Sequence, residues 1–357
     1  MISLNCLLGH AFQVMNAVKK SKLSERRWIP DGFHFLGPEE SRNRRHLLQS
    51  LIECLEVARY SEINLPAFDY TSSYQTHIGG LDSSAFLIAK DYDGFSLSPG
   101  VDLTLQVVKG MAGRSHWEEN QNVFYIGRKI RDHKKRNASR REILQIGGES
   151  IGDSSPENVI SQILILEKMW KVALPETKAS LVLGHAGFLS FVFDTLKLDP
   201  SDEAIIAQFL YTKNEPELAH FVKNKDLSPS SIQLLKLTLK PLSFDGFQDF
   251  KKSLLGISSE IQSNKTLADH LLEMEAFILN WKNKKVGFTG VWDPSLIRDL
   301  DYYSGLVFQG YMEGFSEPVF AGGVYNNLYE TYAEIKKDAC GFALHIDPIE
   351  EKIYSKK

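Results

Sequence analysis

Several absences narrow what this chain can be. Cysteine is scarce: Cys6, Cys54 and Cys340 are the three in 357 residues. They lie far apart, without the CxxC spacing of a metal site or the density of a disulfide scaffold, so a reducing cytoplasm is the expected compartment. The ten histidines show no metal-ligand spacing, and no zinc site is expected. No apolar run reaches eighteen residues, which excludes a membrane-spanning helix. An excess of positive charge is also missing. Lys and Arg number 41 against 45 for Asp and Glu, a net charge of −4, so no global attraction for nucleic acid is expected. The opening MISLNCLLGHAFQVMNAV is apolar but interrupted by Asn5, His10, Gln13 and Asn16. With no basic residue before it and no small-residue cleavage site after it, a targeting role is not expected, and Met15 offers a second possible start of translation. Internal repeats and low-complexity tracts are absent as well.

Hydrophobic residues make up 43% of the chain, enough for one large core and a smaller one. After the turn-rich Pro30-Asp31-Gly32, a helix is predicted from Pro38, because a first-turn proline followed by Glu39 and Glu40 suits the positive end of the helix dipole. Leu47, Leu48, Leu51, Ile52 and Leu55 continue it at helical spacing. Short β-prone runs at 63–68, 85–89, 123–126 and 142–151 predict an antiparallel sheet, with a helix at about 158–172. From about Leu196 to Asn283 the sequence turns helical, with breaks at Pro200, Pro216, Pro229 and Pro241. Strand-like sequence returns at 286–289, 306–311, 318–320 and 340–346. The expected organisation is therefore a β core in two parts, 1–194 and 286–357, divided by a helical insertion at 195–285.

Three separated stretches carry a pattern. Arg298-Asp-Leu-Asp-Tyr-Tyr-Ser-Gly-Leu-Val-Phe308 resembles the RGLDYYTGTVFE signature of histidyl-tRNA synthetases, with Asp299 for Gly and Gln309 for the closing acid. Phe124-Tyr-Ile-Gly-Arg-Lys-Ile-Arg131 together with Gln145-Ile-Gly-Gly-Glu149-Ser-Ile-Gly152 resembles motif 2 of that class II family. Cys340-Gly-Phe-Ala-Leu-His-Ile-Asp-Pro-Ile349 resembles motif 3. Leu65-Pro66 looks like motif 1, Asp102-Leu-Thr104-Leu-Gln106 like the amino-acid loop, and Gly322-Gly-Val-Tyr325 like the GGRYD segment. The resemblance implies an α+β fold: a class II aminoacyl-tRNA synthetase-like mixed, mainly antiparallel sheet flanked by helices, with a helical insertion.

A histidine pocket needs complementary groups for an ammonium, a carboxylate and an imidazole. By resemblance, Asp102 and Thr104 meet the ammonium, Arg131 the carboxylate, and Gln145 either of them. Glu149 and Tyr303 meet the ring nitrogens, and Arg298 and Tyr302 frame the site. Independently of the family, alternation along a strand puts Gln145, Gly147 and Glu149 on one face, with Gly147 leaving room between the two polar residues.

Adenylation needs cationic clamps and metal-binding carboxylates as well, and these look dismantled. His133 stands where FRxE has its acid, Pro348 where motif 3 has its arginine, and Val324 and Asn326 where GGRYD has Arg and Asp. The sequence ends about ten residues after the segment like motif 3, so no anticodon-binding domain is expected. This combination is similar to the ATP phosphoribosyltransferase regulatory subunits. The resemblance implies a non-catalytic, cytoplasmic protein of histidine biosynthesis with no cofactor and L-histidine as ligand. It would act as a homodimer partnered with a short-form ATP phosphoribosyltransferase catalytic subunit, and would bind neither tRNA nor membrane. The runner-up reading is an aberrant histidyl-tRNA synthetase or other histidine-activating enzyme, with Arg140 or Arg141 replacing the missing arginine. A scaffold that has lost histidine is a third, because Gly100 stands where the family has an arginine. The charged run from Arg128 to Arg141 reads as a solvated hairpin loop, except for Arg131, which its motif position directs inward.

Overall fold

The computed structural model describes residues 29–75, 86–114, 120–132, 140–225, 227–296 and 302–354. The first described helix, α1 (Pro38–Val57), begins where the sequence predicts. The Gly37 N–H donates to Glu40 Oε2 at 2.6 Å, and Leu51, Cys54 and Leu55 form its buried stripe.

Twelve strands follow among the described residues: β1 (Ser61–Glu62), β2 (Phe68–Tyr70), β3 (Ala89–Lys90), β4 (Ser96–Pro99), β5 (Gln121–Ile130), β6 (Glu142–Ile151), β7 (Ala179–His185), β8 (Leu242–Ser243), β9 (Thr289–Trp292), β10 (Leu306–Met312), β11 (Phe320–Val324) and β12 (Ala339–His345). Nine form one sheet in the order β1-β5-β6-β12-β11-β10-β7-β9-β8. The β1–β5 and β7–β9 pairs are parallel and the other neighbours antiparallel, so the sheet is mixed and mainly antiparallel as expected. A separate sheet has the order β2-β4-β3.

Some boundaries differ from the prediction, each for a local reason. Of the run 63–68 only Phe68 lies in a strand, at the start of β2: Pro66 has no N–H for a ladder, and its carbonyl accepts from the Gln106 side chain. Strand β9 starts at Thr289 rather than Val286. Lys285 is left-handed, with φ 53°, and the Val286 N–H turns back to the Trp281 carbonyl to close a helix. The run at 85–89 is represented by β3 and the run at 318–320 by β11, each shifted toward higher numbers.

The helices α2 (Thr71–Gln75), α3 (Leu103–Ala112), α4 (Pro156–Ala173) and α5 (Ala186–Leu196) lie among the strands. Between β7 and β9 the chain continues with α6 (Pro200–Tyr211), α7 (Glu215–Asn224), α8 (Pro229–Thr238), α9 (Phe247–Leu255), α10 (Ser259–Gln262) and α11 (Lys265–Lys284). Three of the prolines read as breaks sit in first turns: Pro200 follows the capping Asp199, Pro229 the capping Ser228, and Pro216 lies one residue inside α7. A proline there gives up an N–H that no helix would use. Helix α12 (Ile346–Tyr354) follows the last strand.

Alternation sorts the sheet into two faces. Phe124, Leu144, Ile146, Phe308, Phe342 and Leu344 join the large core, which also holds α4 and the helices between β7 and β9. Val123, Tyr125 and Ile151 face the other way, into a smaller core with α3, Tyr302 and Tyr325. At roughly 1.5–3 kcal/mol for each fully buried large apolar side chain, this division fixes the register of β5 and β6. Every polar residue between them is thereby committed to one face.

Candidate functional site

The second face holds a cluster of buried polar side chains. Strand β6 contributes Gln145 and Glu149, and the start of α3 contributes Asp102 and Thr104. Strand β5 adds Tyr125, the segment before β10 adds Tyr302, and the residue after β11 adds Tyr325. Glu149 is only 1% exposed. Thr104 Oγ1 donates to its Oε1 at 2.8 Å, and the Tyr325 hydroxyl donates to Oε2 at 2.5 Å. Burial, which disfavours the anion, outweighs these donors and pushes Glu149 up to about 8, with Asp102 adding to the rise.

Asp102 has two duties. It caps α3 by accepting from the Leu105 N–H at 3.0 Å, and it accepts from the Tyr302 hydroxyl at 3.3 and 3.4 Å. Gln145 Nε2 donates to the Tyr125 hydroxyl at 2.9 Å. The Tyr302 ring stands edge-on to Tyr325, with centroids 5.9 Å apart, and 4.8 Å from the ring of Tyr303. Arg131 is buried, as its motif position implies, and its Nε donates to the Val101 carbonyl at 3.2 Å. Arg298 and His133 lie outside the described residues.

Seven of the eight expected site residues are therefore described. Asp102, Thr104, Gln145, Glu149 and Tyr302 join one buried hydrogen-bonded cluster. Tyr303 packs at its edge with its ring against Gly323, and Arg131 anchors at Val101. The reading of Gly147 needs correction: Tyr125 lies directly across the ladder, and its phenol fills the space that a Gly147 side chain would take. The gap between Gln145 and Glu149 is thus bridged by a hydroxyl. Tyr125 and Tyr325 were not singled out as site residues, although both lie in the motif segments, beside Gly127 and Gly323. Gly341 was missed too. It pairs across the ladder with Glu149, and a Cβ there would overlap the Glu149 carboxylate.

Around Asp347, in the segment that resembles motif 3, the cations are already engaged. Asp347 Oδ1 accepts from Arg44 at 2.9 Å and from Arg140 at 3.3 Å, while its Oδ2 accepts from the Leu144 N–H at 2.8 Å. Arg141 pairs with Asp132 at 3.0 Å and lies over the Phe33 ring. Asn326 Oδ1 accepts from the Ala339 N–H at 3.0 Å, a link between β12 and the segment after β11.

The structure also brings together three groups that sequence spacing could not connect. His185, His270 and Glu273 place their ligand atoms within 4.8 Å of one another. His185 Nδ1 accepts from the Phe188 N–H at 3.1 Å, and its Nε2 faces Glu273 at 3.0 Å. A neutral imidazole bound to metal through Nε2 carries its proton on Nδ1, which the capping amide forbids here. His185 and Glu273 form a hydrogen-bonded brace between β7 and α11, with the His270 ring 4.5 Å from that of His185. Among the described residues no helix is long and apolar enough to cross a membrane.

This sheet order, with helices on one face and a buried polar cluster on the other, is a class II synthetase core of the histidyl type. The histidyl-tRNA synthetase family profile matches residues 32–349. A structure described as an ATP phosphoribosyltransferase regulatory subunit/histidyl-tRNA synthetase from Bacillus halodurans superposes with a TM-score of 0.79 at 20% identity, over 91% of this chain and 83% of that one. A histidine–tRNA ligase subunit from Alicyclobacillus acidocaldarius gives 0.77 at 19%, over 92% and 97%. At these identities the likeness speaks for the fold. An ATP phosphoribosyltransferase regulatory subunit of Leptospira interrogans is 40% identical over 331 residues, 92% of this chain and 95% of the relative. The chain belongs to the family of ATP phosphoribosyltransferase regulatory subunits, non-catalytic members of an enzyme complex.

Proposed function

We propose that the chain binds L-histidine at the Asp102–Glu149 cluster and, as a regulatory subunit, makes a short-form ATP phosphoribosyltransferase catalytic subunit active and responsive to histidine. One observation carries the reading: acceptors and hydroxyls suited to an amino acid with a polar ring converge on one sheet face, while the arginines around Asp347 are paired with acids. Arg140 on Asp347 leaves no reason to assign it to a nucleotide phosphate. Calorimetry with L-histidine tests the binding, and phosphoribosyltransferase assays of the reconstituted complex test the regulation. Saturable binding that alters catalytic activity is expected; absence of both overturns the proposal.

The same pairing of cations predicts that the protein forms no histidyl-adenylate and charges no tRNA. Histidine-dependent exchange of pyrophosphate into ATP should equal a no-protein blank. Exchange above that blank would favour the activating-enzyme reading.

Assembly follows from the small sheet. Phe68, Tyr70, Ile88 and Phe95 are 47–61% exposed, and Tyr70 meets Phe95 edge-on with centroids 6.0 Å apart. Apolar side chains held together at the surface favour association, and in class II proteins the motif 1 region forms the two-fold interface. The chain is proposed to be a homodimer through this face. Light scattering should give about twice 40.4 kDa, and Tyr70→Glu with Phe95→Glu should shift the protein toward monomer. A wild-type protein at 40.4 kDa at micromolar concentration would contradict it.

A further inference from the structure

We propose that this site binds its ligand's ring as an imidazolium cation, with Glu149 supplying the proton that the ring acquires. The inference rests on the histidine-binding reading above and concerns the charge of the bound ring.

Glu149 sits on β6 against the bare backbone of Gly341, with hydroxyls of Thr104 and Tyr325 on its two oxygens. Both partners are uncharged. The main charge acting on it is Asp102, of the same sign, held at the start of α3. The other titratable groups around it come from separate elements: Tyr125 on β5, Tyr325 after β11, Cys340 on β12 and Tyr60 ahead of β1. Burial raises all four, so each stays neutral well beyond pH 8. Arg131, at the end of β5, is directed to the Val101 carbonyl. Tyr302 donates to Asp102. Among the described residues Glu149 is left as the group in this wall that changes charge near neutrality, and below about pH 8 it holds a proton.

A neutral imidazole arriving beside it offers a lone pair. The Glu149 O–H bond breaks and a ring N–H bond forms, so carboxylic acid and imidazole become carboxylate and imidazolium with no proton taken from water. Both hydroxyls already point at the carboxylate oxygens, so the anion's hydrogen bonds are in place before it forms. The penalty of burying that anion falls away only when a cation stands next to it. Above pH 8, where Glu149 has lost its proton, binding takes one up from solution instead, and affinity falls about tenfold per pH unit on that account.

Nitrogen NMR of ring-labelled L-histidine, saturating the protein at pH 8, tests this directly, because the free ring is neutral there. Both ring nitrogens of the bound ligand should show the protonated shift. Calorimetry at pH 9 in two buffers of different ionisation heat should show uptake of about one proton per histidine beyond that seen with Glu149→Gln, and little uptake at pH 7. A bound ring with the neutral pattern overturns this proposal alone, leaving histidine binding intact. Absence of any binding overturns the histidine reading and this proposal with it. Should Glu149→Gln bind too weakly to measure, the wild-type ring shift decides the matter.

Discussion

Replacing Glu149 with alanine is expected to weaken L-histidine binding about 10- to 150-fold, the effect of losing one charge-assisted hydrogen bond worth roughly 1.5–3 kcal/mol. Stability should fall as well. The sequence suggested a side chain lining a cavity, but Glu149 is fully enclosed, and its removal leaves the Thr104 and Tyr325 hydroxyls buried without their acceptor. Each such loss costs about 1–3 kcal/mol, so the variant should unfold at a lower temperature than wild type. Calorimetry well below that temperature separates the two effects, and Glu149→Gln, which preserves the volume, gives a second measure of binding. Linkage requires that weaker histidine binding also weaken any feedback acting through this site. Unchanged affinity in Glu149→Ala would show that the ring lies elsewhere. Weakened binding with unchanged inhibition would place the inhibitory histidine outside this site.

Gly341→Ala should be destabilising by about 3 kcal/mol or more, read from denaturant unfolding, and should abolish histidine binding where the fold survives. A Cβ at this position overlaps the Glu149 carboxylate and comes within 2.9 Å of the Gly148 carbonyl. Backbone on one side and a hydrogen-bonded side chain on the other leave little to yield. The double variant Gly341→Ala, Glu149→Ala should lose less stability than the two single losses added together, since the second change removes the obstruction that the first creates. A coupling of 0.5–3 kcal/mol is the ordinary range for residues in contact. Strict additivity would show that the glycine is required for another reason.

Much of the site was legible in the sequence because β6 is regular. Alternation alone places Gln145 and Glu149 on one face, and the structure bears this out: Leu144 and Ile146 join the large core while Gln145 and Glu149 bond to Tyr125 and Thr104 on the other side. What alternation could not supply was the contents of the next strand. Tyr125 opposes Gly147 through inter-strand register, and Gly341 opposes Glu149 from the far end of the chain. His185, His270 and Glu273 escaped notice for the same reason, as partners brought together only by the packing of α11 on β7. The fold class followed from motif order. The prolines were the ambiguous signals: Pro200 and Pro229 punctuate by starting helices, and Pro66 by separating two strands.

The place of β12 in the sheet has a consequence for how the protein is made. Residues 339–345 fill the gap between β6 and β11, joining the ladder of β1, β5 and β6 to that of β11, β10, β7, β9 and β8. A nascent chain whose last emerged residue precedes 339 therefore carries two half-sheets, each with an open inner edge of unpaired amides and carbonyls. Such edges pair readily with any other strand, including those of neighbouring chains on the same polysome. The full sheet therefore closes only after translation has passed β12, and until then both inner edges remain to be paired.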